Sequence, residues 1–225
     1  MVVACIPLLA SLLLQVPDSP SINVRLQVEQ RTEQGRIRIK LITPVFDSNS
    51  RVASLANREA RALMKKYLPE FRQQAKETLR VIPKDVELFV EATPTVSVAK
   101  KDWISFYIRT FAYTGGAHPN RWYECRTFGL QNGKAVRLRF RDLLPPGSDP
   151  IAVANRLVIP RLKALGASWF QEGSRTSLEP NEVENFVTTP SGITWIFDPY
   201  AAGPYAEGEF FVKVPWSEVR AAVSE

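Results

Sequence analysis

The stretch that decides the fold is Val86–Thr114, which contains VELFVEATPTVSVA (Val86–Ala99) and, three residues later, WISFYIRTFAYT (Trp103–Thr114). Both runs are rich in β-branched and aromatic residues. Polar positions at Glu87, Glu91, Ser105 and Arg109 interrupt them with a period near two, the pattern of strands that bury one face. Their proximity predicts a strand pair, and an apolar face on such a pair needs a helix or a second sheet to cover it.

Upstream, INVRLQVEQ (Ile22–Gln30) and GRIRIKL (Gly35–Leu41) alternate in the same way, with a turn over Thr32–Gly35. The polar set Asp47, Ser48, Asn49 and Ser50 offers N-caps to the alanine-rich SLANREARALMKKY (Ser54–Tyr67). Pro69 restarts a second helical segment, LPEFRQQAKETLRVI, and Pro83 closes it. Downstream, Asn132-Gly133 signals a hairpin in FGLQNGKAVRLRF (Phe128–Phe140), which reads as the opening of a second lobe. A helix begins at Ser148-Asp149-Pro150, with Pro160 expected to kink it. NFVTT, GITWIFDPY, GEFFVKVP and WSEVRAAV then read as three strands and a terminal helix. The elements do not form a regular βαβ series. The expected class is α+β, two small lobes of mainly antiparallel strands packed with helices.

Met1–Pro17 contains no Lys, Arg, Asp or Glu and carries the apolar run IPLLASLLLQV, about the length of a secretory leader and too short to span a bilayer. The polar, proline-containing VPDSPS that follows is a natural break, so residues 1–17 are expected to be a signal peptide and the mature chain to work outside the cytoplasm. Cleavage would leave Cys125 as the one cysteine, excluding an intrachain disulfide. With one histidine, a paired-histidine metal site is excluded as well, and neither metal nor cofactor is expected. The net charge of +6 is spread along the chain. Arg137, Arg139 and Arg141 would form a basic stripe if Arg137–Leu143 were a strand, but any half-exposed strand shows that alternation, and no nucleic-acid partner is expected.

Two loops draw attention. In Tyr113-Thr114-Gly115-Gly116-Ala117-His118-Pro119-Asn120, adjacent glycines precede the sole histidine. His118 could present a ligand contact or transfer a proton, or it could satisfy the turn's own carbonyls; a catalytic histidine would need a nucleophile or metal that the sequence does not show. In Tyr200-Ala201-Ala202-Gly203-Pro204-Tyr205-Ala206-Glu207-Gly208, two tyrosines and a carboxylate suit sugar or protein recognition, or merely cover a core edge. The candidate ligand-binding residues are thus Tyr113, Gly115, Gly116, His118, Asn120, Tyr200, Tyr205 and Glu207. Glu182/Glu184 and Glu207/Glu209 are also spaced as possible hydrolase dyads, although a spacing of two only places both carboxylates on one strand face.

FAYTGGAHPN (Phe111–Asn120), the NGK hairpin, RFRDLLP and GITWIFDPYAAGPYAEGEFFVKVPWSEV (Gly192–Val219) together resemble the extracytoplasmic region shared by the RsiV anti-sigma factor and the peptidoglycan deacetylase PdaC. The resemblance implies a PdaC-like N-terminal domain over 22–118 and an RsiV-like C-terminal domain over 122–220. It also implies an envelope location and, from the anti-sigma member, recognition of lysozyme. Neither the deacetylase domain nor a sigma-binding segment is expected from these residues. The expected function is therefore a non-catalytic binding or sensing module for peptidoglycan-like glycan or a wall-acting protein. A small wall hydrolase using His118 with a nearby carboxylate and a structural envelope protein are the alternatives.

Overall fold

The computed structural model describes residues 15–223. Most of the expected leader, residues 1–14, lies outside the described residues. The chain divides into two compact units, Ser19–Arg137 and Leu138 onward.

In the first unit, β1 (Asn23–Glu33) and β2 (Ile37–Asp47) form a long hairpin, α1 (Arg51–Lys66) and α2 (Leu68–Thr78) follow, and β3 (Leu88–Lys100), β4 (Trp103–Tyr113), β5 (Asn120–Gln131) and β6 (Lys134–Arg137) complete a sheet in the order β1-β2-β3-β4-β5-β6. All neighbours are antiparallel except β2 and β3, which pair in parallel over Ile37–Leu41 and Leu88–Ala92 because the helices carry the chain back across the sheet. Ser50 caps α1 by accepting from the Ala53 N–H at 3.0 Å. Pro69 sits in the first turn of α2, where its missing N–H leaves no helical bond unmade.

The core lies between the helices and one sheet face. Ile37, Ile39, Leu88, Val90, Ile104 and Phe106 meet Val52, Ala56, Ala60 and Phe71 there. In β2 the buried positions are Ile37, Ile39 and Leu41, then Pro44 and Phe46. The parity slips by one just where pairing with β3 ends at Leu41, as expected for a strand released from its neighbour and free to twist. Asn57 of α1 holds the displaced segment, its amide accepting from the Phe46 N–H at 2.9 Å and donating to the Phe46 carbonyl at 3.0 Å.

The boundary expected between His118 and Trp122 falls at the turn from β4 to β5, two strands paired from Ile104↔Phe128 to Ala112↔Asn120. The first unit therefore runs on to Arg137. The Asn132-Gly133 hairpin joins β5 to β6 and adds an edge to the first sheet instead of opening a new lobe. The basic stripe is also not a strand. β6 ends at Arg137, and Phe140–Leu143 forms a 3₁₀ turn in which Asp142 Oδ2 accepts from the Arg139 N–H at 2.7 Å.

The second unit packs α3 (Pro150–Ala164), short α4 (Ser168–Gln171) and α5 (Pro180–Val183), and terminal α6 (Trp216–Ala222) with an antiparallel sheet of β7 (Phe186–Thr189), β8 (Gly192–Phe197) and β9 (Phe210–Pro215). α3 continues through Pro160. Trp195 at the centre of this unit is fully buried, edge-on to Phe140 at 5.0 Å. No described helix is long and apolar enough to cross a membrane.

One ion pair ties the hairpin to the helical layer. Arg72 of α2 donates to both Glu33 carboxylate oxygens at 2.9–3.2 Å. These hydrogen bonds, aided by the charges of Arg72 and Arg31 and opposed by partial burial, hold the Glu33 carboxyl below the usual carboxylate range. A depressed carboxylate stabilises the folded state above its unfolded pKa and loses that contribution as pH falls through the folded value. Chemical denaturation of wild type and Glu33→Gln should therefore differ at pH 6, by under about 1 kcal/mol because solvent reaches the pair. The two should converge as the pH is lowered below about 4.5.

Candidate functional site

The glycine-histidine loop is the β4–β5 connection, begun after Tyr113 and closed at Asn120, which pairs with Ala112. Gly115 has φ +94°, and a Cβ there would lie 2.2 Å from Thr78 Cγ2 at the end of α2. A side chain is thus excluded by both conformation and space. At Gly116 an added Cβ would meet nothing within 4 Å. His118 Nδ1 lies 3.0 Å from the Pro119 carbonyl, which can only accept, so the ring donates to the turn itself. Tyr113 lies opposite Phe89 in register, and their rings are 6.2 Å apart. Strand alternation puts it on the sheet face away from Ala112.

On the helical side of the same strand end, a cleft of about 250 Å³ opens between α2 and the sheet. Tyr67 and Phe71 form one wall, Trp122 the other, and Glu70, Gln74, Thr114 and Asn120 supply polar groups. Tyr67 meets Trp122 edge-on at 5.2 Å and 79°. Lys66 Nζ donates to the Tyr67 hydroxyl and to Glu124 Oε1, both at 2.9 Å. The Tyr67 bond is the main cause of the raised Lys66 pKa, so this ammonium stays charged beside the cleft. The Trp122 indole N–H is buried without a hydrogen-bond acceptor among the described residues. Of the expected site residues, Asn120 lines this cleft. Gly115 braces the adjoining loop, Tyr113 faces the other side, and His118 is not among the lining residues. The sequence reading missed Tyr67, Phe71, Gln74 and Trp122, although Tyr67, Phe71 and Gln74 at i, i+4 and i+7 share a helix face.

The tyrosine loop belongs to the second unit. Tyr200 is 55% exposed at φ +69°, an uncommon conformation for a residue with a Cβ, and its ring lies 5.5 Å from that of Tyr205. The surrounding loop is firmly held. Trp169 N–H donates to the Ala202 carbonyl at 3.2 Å, and Arg175 donates to the Ala201 carbonyl and, at 2.7 and 2.9 Å, to Glu182. Glu207 Oε2 accepts from the Ser168 N–H at 3.2 Å, and its carboxylate occupies the space where a Gly203 side chain would stand. Glu207 thus braces the loop from inside, while Tyr200 is presented to solvent. The Glu182/Glu184 dyad is likewise taken up structurally, Glu182 by Arg175 and Glu184 Oε2 by the Phe140 N–H at 3.2 Å. No group of three or more His, Cys, Asp or Glu placed to hold a metal ion occurs among the described residues.

These features define an α+β protein whose concave site is aromatic and amide-lined. Residues 30–121 match the family described as Deacetylase PdaC, and residues 141–217 match a family of proteins of unknown function, DUF3298. The two matches fall, in the same order, on the two regions of the resemblance read from the sequence. Residues 122–137, which complete the first sheet, lie between the two matches. A DUF3298 family protein from Pseudomonas aeruginosa PAO1 has a similar crystal structure, with TM-score 0.63 and 15% identity over 92% of this chain and 94% of that one. A DUF3298 family member from Bacteroides fragilis gives TM-score 0.59 and 17% identity over 90% and 94%. At these identities the likeness shows the fold. A Mycobacterium tuberculosis protein named an esterase is 26% identical over 118 residues, 51% of this chain and 50% of that protein, so the alignment spans about half of that relative's length.

Proposed function

We propose that this chain is a non-catalytic binding or sensing module of the cell envelope, working outside the cytoplasm, that recognises peptidoglycan-like glycan or a wall-acting protein such as lysozyme. The observation that carries this reading is the makeup of the cleft. Tyr67, Phe71 and Trp122 offer flat apolar area, and Gln74 and Asn120 offer neutral donors and acceptors, while neither histidine, cysteine nor serine is among the lining residues. Such a lining suits recognition of a ligand by stacking and hydrogen bonding, with Glu70 and Thr114 adding polar contacts. The solvent-facing Tyr200, on a loop braced by Glu207 and Arg175, is a rigid aromatic contact of the kind enriched at protein interfaces.

The name of the M. tuberculosis relative favours a second reading, a small hydrolase. That reading needs His118 beside a carboxylate in a concave site. Here the cleft carboxylate is Glu70, which accepts from Gln74 Nε2 at 3.4 Å, and His118 donates within its own turn.

Calorimetric titration with soluble peptidoglycan fragments and with a lysozyme, at low and moderate salt, separates the two. Saturable binding is expected, weakened about two- to tenfold by Gln74→Ala or Asn120→Ala in the cleft if glycan is the ligand, since each exposed side chain contributes about one hydrogen bond. Weakening by Tyr200→Ala instead would point to the protein partner. Turnover of an activated acetyl ester that is abolished by His118→Ala would replace the binding reading with the hydrolase.

A further inference from the structure

β1 is the terminal strand in the order of the six-stranded sheet; its ladder neighbour among the described residues is β2, and the residues just before it, 20–22, meet the end of β3. β1 is eleven residues long, NVRLQVEQRTE, without proline or glycine. A long open edge is a template for another strand, and proteins usually guard one with like charges, prolines or bulges. This edge is instead marked by two exposed apolar side chains, Leu26 and Val28, each 59% accessible. They share one face of the strand, and Arg25 and Glu29 share the other.

The backbone parity is fixed by the strand's beginning. Ile22 N–H donates to the Ala99 carbonyl at 3.0 Å and Lys101 N–H to the Pro20 carbonyl at 2.8 Å, so the even-numbered residues turn their backbone groups away from β2. Carried along the strand, this alternation leaves the N–H and C=O groups of Val24, Leu26, Val28 and Gln30 facing the open edge.

We propose that β1 pairs antiparallel with β1 of a second copy of this chain, about a two-fold axis passing through Gln27. In this register Leu26 of one copy opposes Val28 of the other and Arg25 opposes Glu29, each pairing occurring twice by symmetry. The outward-facing Leu26 and Val28 form the hydrogen-bonded pairs. Arg25–Glu29 and Gln27–Gln27 occupy the closer, non-hydrogen-bonded sites, where opposite charges attract most across strands. Within its own chain Arg25 donates to Asp47 at 2.7 and 2.8 Å and Arg31 donates to Glu29 Oε1; both pairs are solvent-exposed, so the copy's Arg25 reaches the remaining Glu29 Oε2 in competition with Asp47. Two other registers set like charges together. Moving the axis to Val28 sets Arg25 against Arg31, and moving it to Glu29 sets two glutamates face to face. Charges that only guarded the edge would repel a copy of themselves, whereas these favour the Gln27 register over those two.

Sedimentation velocity on the full chain over roughly 1 µM to 1 mM should show a reversible monomer–dimer equilibrium, the range expected of a small interface. Arg25→Glu and Glu29→Arg should each weaken it about tenfold, and the two together should restore it to within about threefold. In a Cys5→Ser background, Gln27→Cys on the axis should form a covalent dimer under mild oxidation at least about tenfold faster than off-axis Gln30→Cys, because only the former brings the two cysteines within disulfide reach. A monomer across the whole range, or equal cross-linking at the two positions, overturns the proposal.

Discussion

Gly115→Ala should destabilise the N-terminal unit by about 2–5 kcal/mol, read as a lower midpoint in urea denaturation. Two costs combine. At φ +94° an alanine is strained, and its Cβ would stand 2.2 Å from Thr78 Cγ2, well inside van der Waals contact. Relief requires either rotating Thr78 at the end of α2 or lifting the loop, and lifting the loop would move Thr114 and Asn120 at the cleft. Two companions separate the costs. Gly116→Ala, with no atom within 4 Å of the new Cβ, should stay within about 0.5 kcal/mol of wild type. Adding Thr78→Ser to Gly115→Ala deletes the clashing methyl and should recover the steric part, leaving the conformational strain. Failure of Thr78→Ser to recover anything would mean that backbone strain alone sets the cost.

The loop that is conspicuous in the sequence is therefore important for a reason the sequence could not supply. Adjacent glycines announce an unusual turn, and Gly115 has the positive φ that such a turn implies. That the turn lies against Thr78, thirty-seven positions earlier in the chain, is a property of how α2 packs on β4 and β5. The cleft is hidden for the same cause, since its aromatic walls come from α2 and from β5. The helix-face spacing of Tyr67, Phe71 and Gln74 is readable, but an aromatic stripe on a helix ordinarily faces core, and Phe71 is in fact buried there.

Strand identities are legible because alternation is local. β3 and β4 lie within Val86–Thr114 as expected, differing by a residue or two at their ends. Partnership is less legible. Nothing in GRIRIKL says that β2 will lie parallel to β3 across two intervening helices, and nothing in FGLQNGKAV says which sheet its hairpin will extend. Glu207 reads as a ligand carboxylate because a glutamate between tyrosines and glycines looks exposed. Its partner, the Ser168 N–H, is thirty-nine residues away in sequence.

The second large effect lies in the C-terminal unit. Trp195→Ala should cost about 3–5 kcal/mol, a substantial fraction of the roughly 5–15 kcal/mol that stabilises a typical domain. Trp195 is fully buried on β8 among Phe140 and Phe186, and its indole N–H donates to the Val183 carbonyl at 3.1 Å. Truncation removes the ring's contacts, leaves a cavity and strips the carbonyl of its donor. Trp195→Phe keeps much of the apolar volume but still orphans the carbonyl, so it should cost about 1–3 kcal/mol. The gap between the two variants therefore measures packing, and the residual cost of phenylalanine measures the hydrogen bond. Equal losses for both would assign the stability of this centre to the Val183 bond. A near-neutral phenylalanine would show that the carbonyl finds another donor, and that Trp195 is held for its shape.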